Sequence, residues 1–553
     1  MTRLAIVGID GATYEIIRPM VAAGELPHIA RLLREGASGD LHSETPPMTP
    51  PAWTSMFTGL NPGRHGVFHF IRRKLGTYDC ALNDSRNYSG KDLMSLLGRR
   101  GWSVGSLAVP MTYPPFPVPQ GWMVSGIPMP LSGDTIAWPK GVVAEMEQVL
   151  GHPYVPDLDY GPYHGDFEGP DDDLERYEKI RGELFQAERD RLRLTEHFLR
   201  ERPTDFFFTV VSVTDRCQHY FWKFQDRSHP GWSAEGERRF GETIRDAYRL
   251  ADEFLGRVRA IVGDDVPVAI VSDHGFGSQL WDFRVNQWLE QEGFLERRKP
   301  PYWTWGRVSV GDALRRLRLD GLAKVLGPIA RIPLLRPKRK TRAHARDVVL
   351  ERTRPFAQLH GICVNLKGRE PQGTVEGEDG YRRTVEEIVA RLRALPDPYG
   401  KPAVDFTVVK EDCYHGPRTA EAPDVQYQLM SLTCIPKEDW GTGALFLRRK
   451  NAPISGQHRF NGVFGMWAPG VVPGRVIEGM HIQDTTPTLL YGIRESVPQW
   501  MDGKIRGDLM REPWEPVWDH AAEPEAGVDA SAAYGEADAK AIEESLRGLG
   551  YLQ

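Results

Sequence analysis

Three apolar, strand-like runs in this chain each end in an aspartate, and that repetition constrains the fold more than any other feature. Leu4-Ala5-Ile6-Val7-Gly8-Ile9 runs into Asp10, Phe206 to Val213 runs towards Asp215 with His219 behind it, and Val266 to Val271 leads to Asp273-His274. Runs of this kind, alternating with stretches at helical spacing, build a parallel sheet wrapped by helices. Carboxylates at the C-terminal ends of parallel strands lie where open α/β sheets place their ligands. Together with the distant His458, these residues have the composition of a two-metal hydrolase site.

The chain is long enough, at 553 residues, for one large core with insertions or for two domains. Its net charge of -6, pI near 6.3 and 26% charged residues lack the basic excess of a nucleic-acid binder, so no nucleic acid is expected as partner. Neither a signal-peptide pattern nor an apolar run of about 18 residues is found, and a cytoplasmic protein is expected. Cys80, Cys217, Cys363, Cys413 and Cys434 are odd in number and show no CxxC spacing. That argues against a disulfide framework and a zinc ribbon, leaving reduced, mostly buried thiols.

Helical spacing covers Tyr14 to Gly36, Leu93 to Arg100, Asp171 to Arg202 and Glu237 to Val262, with a strand at Ser103 to Val109. Between Pro110 and about Gly169 the texture turns to Pro, Gly, Trp and Tyr, which reads as an insertion (110–169) packed over the core. A second irregular block, 299–346, contains the basic run Arg336-Pro337-Lys338-Arg339-Lys340. It reads either as a lid or membrane-facing basic surface, or as a solvated loop, and the second is preferred. The sheet pattern resumes after Arg354, at Cys363 to Leu366 and Val463 to Trp467. Residues 519–553 read as an acidic linker and a short helix, Ala537 to Leu549. Residues 1–298 and 347–518 are expected to form the core.

Thr49 opens Thr49-Pro50-Pro51-Ala52-Trp53, a hydroxyl at the start of a helix whose first turn tolerates proline. A helix N-terminus favours an incoming phosphate. Alone, Thr49 is best read as a cap; beside metal-binding aspartates it becomes a candidate nucleophile. Asp215 and His219, at i and i+4, share a face if a helix begins there. Asp273 and His274 can serve one ion only if the backbone turns, which Gly275 and Gly277 would ease. His458 reads as a loop histidine.

These pieces, Gly8-Ile9-Asp10-Gly11, Thr49 to Val67, Asp215 to His219, Ser272-Asp273-His274-Gly275 and Ser455-Gly456-Gln457-His458, resemble the alkaline phosphatase superfamily in order and spacing. The resemblance is to its type I phosphodiesterase and nucleotide pyrophosphatase branch. Asp484 to Thr488 and Met501 to Lys504 also resemble family stretches, of structural character. The resemblance implies an α/β three-layer sandwich with a mostly parallel central sheet and inserted lid segments. It also implies two divalent metal ions, zinc best suited and manganese the alternative. One would lie among Asp10, Thr49, Asp273 and His274, the other among Asp215, His219 and His458. The implied chemistry is metal-dependent hydrolysis of a phosphate ester or nucleotide-like small molecule through a phospho-threonine at Thr49.

One departure concerns substrate. The nucleotide pyrophosphatases carry an asparagine further along the nucleophile's helix, and Thr49 to Gly59 has none. Transition-state charge must be met otherwise, with Arg64, His65, His360, Lys367, Arg369 and Arg459 as candidates. The alternatives are a phosphomonoesterase or phosphomutase on the same site, the latter needing a closed, water-excluding lid, and a non-catalytic binder using the basic run near Lys338.

Overall fold

The computed structural model of the chain describes residues 2–131, 133–158, 174–298, 303–309, 333–339, 348–440, 443–450, 452–525 and 534–548. Leu4–Ile9, buried at all six positions, is the centre of a ten-stranded sheet. It pairs in parallel with Phe206–Val211 on one side and Val268–Val271 on the other. Both neighbours are buried throughout, as expected of strands covered on two faces by helices. The register sets Ile9 opposite Val211 and Gly8 opposite Val271, so all three apolar runs end at one edge of the sheet. Val104–Val109 continues the parallel sheet beside Phe206–Val211, and Asn461–Trp467 enters antiparallel beside Val268–Val271. Because that last strand runs the other way, the residues just before it arrive at the same edge as the aspartates. This is the alkaline-phosphatase-like α/β sandwich expected from the sequence.

Several local expectations are corrected. Tyr14 to Gly36 is two helices, Tyr14–Ala22 and Pro27–Glu35, broken where Gly24 takes a left-handed φ of 77° and restarted by Pro27. Glu237 to Val262 is likewise Ala234–Phe240 and Thr243–Val262. The 110–169 insertion is partly core: Trp122–Ser125 pairs in parallel with Val104–Val109, and Ala137–Trp138 adds an antiparallel edge. Four buried residues amid prolines carry too short an apolar run to be read as a strand.

Residues 281–448 hold a second sheet that the sequence reading does not anticipate. Its order is Pro355–Gln358, Gly361–Val364, Val425–Leu429, Cys434–Lys437, Trp281–Arg284, Phe446–Arg448, with Val404–Val409 also pairing to Val425–Leu429. It has its own hydrophobic cluster, and the Gly377–Arg393 helix covers it through Val385, Ile388 and Leu392. Within block 299–346, Trp303–Ser309 and Pro333–Arg339 pair antiparallel. The rest of that block, and the side chains of its basic run, lie outside the described residues. The terminal helix spans Glu536–Gly548, and just before it the Tyr534 hydroxyl donates to Asn83 O on the core. No described helix is long and apolar enough to cross a membrane. The five cysteines are free thiols.

Candidate active site

Asp10, Thr49, Asp215, His219, Asp273, His274 and His458 all sit at the sheet edge where the apolar runs end, each at most 3% exposed. Asp10 follows its strand directly. The Phe206 strand stops at Val211, and Asp215 lies in the first turn of the helix Val213–Gln225, so His219 at i+4 faces the same way. His458 is not in a loop: it lies in the strand Gly456–Arg459, paired antiparallel with Gly275–Ser278 so that it stands opposite Phe276. Gly275 and Gly277 are needed for close approach rather than for a turn. A Cβ at Gly275 would come within 2.2 Å of Asn461 O, and one at Gly277 within 2.6 Å of the Arg459 guanidinium.

The three histidines share one hydrogen-bonding plan. Nδ1 of His219 donates to Gly456 O at 3.1 Å, Nδ1 of His274 to Gly275 O at 3.1 Å and Nδ1 of His458 to Pro47 O at 2.9 Å. That leaves every Nε2 to face the carboxylates, the orientation a metal-ligating imidazole adopts when a backbone carbonyl holds its other nitrogen. Nε2 of His219 and His458 are 3.1 Å apart and lie 3.5 and 3.4 Å from Asp215 Oδ1. His274 Nε2 lies 3.2 Å from Asp273 Oδ2 and 3.6 Å from Asp10 Oδ1. Neither oxygen of Asp10, nor Oδ2 of Asp273, accepts a hydrogen bond, although all are buried. Buried carboxylate oxygens without donors, converging with imidazole nitrogens, fit divalent cations.

Two overlapping groups have ligand atoms within 4.8 Å of one another: Asp215, His219 and His458, and Asp10, Asp215 and His274. Among the described residues, Asp215 is the member common to both groups. Asp273 stays close to the second group through His274 and accepts the Gly11 N–H at 3.3 Å. Burial, with the Asp215 charge beside it, pushes Asp10 up to about 8, and burial together with Asp10 raises Asp273 well above the carboxylate range. Burial opposes the charge on Asp215, but His219, His458 and Arg216 hold it below its usual value. Burial lowers His219 to about 4 and holds His274 well below the usual imidazole range, which favours the neutral form of both. A divalent cation bound there would offset the repulsion among these carboxylates.

Thr49 is the first residue of the fully buried helix Thr49–Thr58, with Met48 rather than Thr49 at the N-cap. Its hydroxyl caps nothing and lies 3.3 Å from His274 Nε2. The helix start is a weaker anion site than expected, because Pro50 and Pro51 have no N–H and only Thr49 among the first three residues has a backbone donor.

Sequence reasoning missed two supporting residues. Arg216 donates to Asp215 Oδ2 at 2.6 Å and to Asp157 Oδ2 at 3.0 Å. Ser272 Oγ accepts the Ala12 N–H at 2.7 Å and donates to His274 O at 2.8 Å, tying the first and third strand ends together. The adjacency of Arg216 to Asp215, and Ser272 within Ser-Asp-His-Gly, were the available signals.

Of the six residues considered for transition-state charge, five are engaged elsewhere. Arg64 holds Asp502 and Glu523, His65 bonds Ser55, Lys367 pairs with Glu376, Arg369 grips Asp424, and Arg459 donates to four backbone carbonyls. His360 alone lines the cleft that opens beside His458.

The family model for type I phosphodiesterase/nucleotide pyrophosphatase matches residues 4–388. Among solved structures, phosphonoacetate hydrolase from Sinorhizobium meliloti, in complex with phosphonoformate, is 15% identical with a TM-score of 0.50, the match covering 89% of this chain and 95% of that one. Murine ectonucleotide pyrophosphatase/phosphodiesterase 5, in complex with AMP, is 11% identical with a TM-score of 0.47, covering 92% and 100%. No curated protein sequence matches.

Proposed function

The chain belongs to the type I phosphodiesterase/nucleotide pyrophosphatase family, a family of phosphoester hydrolases, and on that premise we propose that it cleaves phosphodiesters with Thr49 as nucleophile and two bound divalent metals. The observation that carries this reading is the Thr49 hydroxyl, buried and 3.3 Å from His274 Nε2, the imidazole nitrogen that itself lies 3.2 Å from Asp273 Oδ2, 3.6 Å from Asp10 Oδ1 and 4.0 Å from Asp215 Oδ1.

Asp215, His219 and His458 would hold one ion, and Asp10, His274 and Asp215, with Asp273 beside them, the other. Zinc suits the mixed nitrogen and carboxylate donors best. Bound there, the ions supply Lewis acidity: they favour the Thr49 alkoxide and neutralise charge on the phosphoryl oxygens. The chain's own contributions are positional. Backbone carbonyls fix each imidazole through Nδ1, Arg216 anchors Asp215, and the buried first turn of the helix keeps Thr49 Oγ in one place. Thr49 Oγ loses its proton and forms a bond to phosphorus as the bond to one ester oxygen breaks, releasing an alcohol. Water then cleaves the Thr49 Oγ–P bond and the product leaves as a phosphate monoester.

Diesters are favoured over monoesters on charge. Two prolines strip donors from the helix start, and the candidate cationic side chains are committed elsewhere. Such a site complements a singly charged diester better than a dianionic monoester. The test is acid-quenched mass spectrometry during turnover of bis-p-nitrophenyl phosphate. A p-nitrophenylphosphoryl group on the Thr49 peptide supports the reading; turnover by Thr49→Ala at the parent rate sinks it.

A further inference from the structure

A cleft of about 700 Å³, including its open mouth, begins at the site and ends on the second sheet. One wall is Thr45 to Met48, the segment leading into Thr49, together with Gln457 and His458 from the strand that carries a candidate metal ligand and Phe460 just after it. The opposite wall comes wholly from the second sheet and its turns, including Phe406, Leu429, Leu432 and His360. Among the described residues lining it there is no lysine, arginine, aspartate or glutamate. Burial keeps the His360 imidazole neutral as well, since it lies well below its ordinary value.

The second wall is built with unusual backbone. Leu359 and His360, the two residues between the strands Pro355–Gln358 and Gly361–Val364, both have left-handed φ, 54° and 61°, at positions where Asn-Gly is the ordinary choice. Met430, Ser431 and Leu432 are left-handed in succession, with φ of 49°, 53° and 61°. Hydrogen bonds pin that turn, among them Ser431 N–H to Asp405 Oδ2 at 2.6 Å, Thr433 Oγ1 to Met430 O at 2.6 Å, and Arg459 Nη1 to Leu432 O at 2.9 Å. The last bond joins the turn to the residue that follows His458. Non-glycine backbone in this region persists where surrounding structure over-determines it, as at ligand clamps. Here it sets Leu432 and His360 on the cleft wall.

We propose that this cleft receives the second substituent of the phosphodiester, and that the substituent it selects is uncharged and largely apolar, an aryl or alkyl group rather than a further phosphate or a carboxylate. The inference rests on the diesterase reading above. Its physical basis is selective desolvation: an apolar group gains from burial against Phe406, Leu432 and Phe460, whereas a charged group loses hydration and meets no counter-ion among the described lining residues. A nucleoside polyphosphate, despite the family's name, is a poor fit.

The test uses three p-nitrophenyl diesters that share a leaving group and differ in the second substituent: methyl, phenyl and 2-carboxyethyl. Hydrolysis of the methyl ester reports the chemistry alone. With the parent protein, kcat/KM for phenyl should exceed that for carboxyethyl by about tenfold or more. Phe406→Ala, at a ring already 36% exposed, should raise KM for the phenyl ester and leave the methyl ester unchanged. Leu432→Lys should reverse the order of phenyl and carboxyethyl. If methyl is cleaved but phenyl and carboxyethyl are cleaved equally, and Leu432→Lys does not alter that, the cleft assignment is overturned while the diesterase reading stands. If the methyl ester is not cleaved, the diesterase reading has failed, and the cleft assignment falls with it.

Discussion

Gly275→Ala isolates the contribution of backbone spacing to the site. A Cβ there would lie 2.2 Å from Asn461 O, where ordinary contact begins at 3.4 Å, so the two backbones must part by about 1 Å. The φ of Gly275 is not positive, so alanine brings no dihedral penalty and the effect is steric alone. The displaced segments carry His274 on one side and, through the Phe276 and His458 pairing, His458 on the other. Overpacking a buried site of this kind costs about 1–3 kcal/mol. Misplacing reacting groups by about 1 Å costs about 100-fold in rate. Initial rates with bis-p-nitrophenyl phosphate should therefore fall about 100-fold in kcat/KM, while urea unfolding still shows a cooperative transition at a slightly lower midpoint. A folded variant within about threefold of the parent would refute the claim that this strand pairing sets the spacing of the imidazoles.

Thr49→Ala should abolish turnover while metal content, measured by elemental analysis, stays near that of the parent; Asp215→Asn, which alters the carboxylate common to both ligand groups, should lower metal content as well. Asp424 sits fully buried against Arg369 and Lys410, and Asp424→Asn should cost about 3–5 kcal/mol in urea unfolding at pH 7 by removing the buried carboxylate that both cations share. Burial raises the Asp424 pKa, but Arg369 and Lys410 more than offset it and hold it at about 2 against an ordinary 3.8. Its stabilisation is therefore present above pH 3.8 and lost as the pH falls through 2, and the gap between parent and variant should close over that window. Gly182→Ala, mid-helix in Leu174–Glu201 with nothing within 4 Å of the added carbon, should raise stability by about 0.4–1 kcal/mol without touching activity.

The central sheet was legible because its strands are buried on both faces and so read as unbroken apolar runs, each closed by an aspartate. Asp215 and His219 were legible for a different reason, the i, i+4 spacing of a helix. His458 was legible only through the family resemblance: nothing local marks Gly-Gln-His-Arg as a strand, and its pairing with Gly275–Ser278 is what brings it to the edge. That Asp215 lies close to both candidate groups was equally hidden, because it depends on the register of Leu4–Ile9 against Phe206–Val211. The second sheet escaped notice since its strands are short and interleaved in sequence, with Trp281–Arg284 pairing to residues about 150 positions later. The cleft follows from that sheet, so its charge-free wall could not be read from any single segment. The loss of helix-end donors at Pro50 and Pro51 was visible in the sequence, and its effect on anion binding emerges only once Thr49 is placed inside the helix.

The most direct measurement is elemental analysis of the purified protein together with hydrolysis of bis-p-nitrophenyl phosphate and p-nitrophenyl phosphate, each with and without chelator. The account predicts close to two divalent metals per chain and a chelator-sensitive preference for the diester. Preference for the monoester would contradict the charge argument, and protein that stays metal-free and inactive after zinc and manganese supplementation would contradict the site itself.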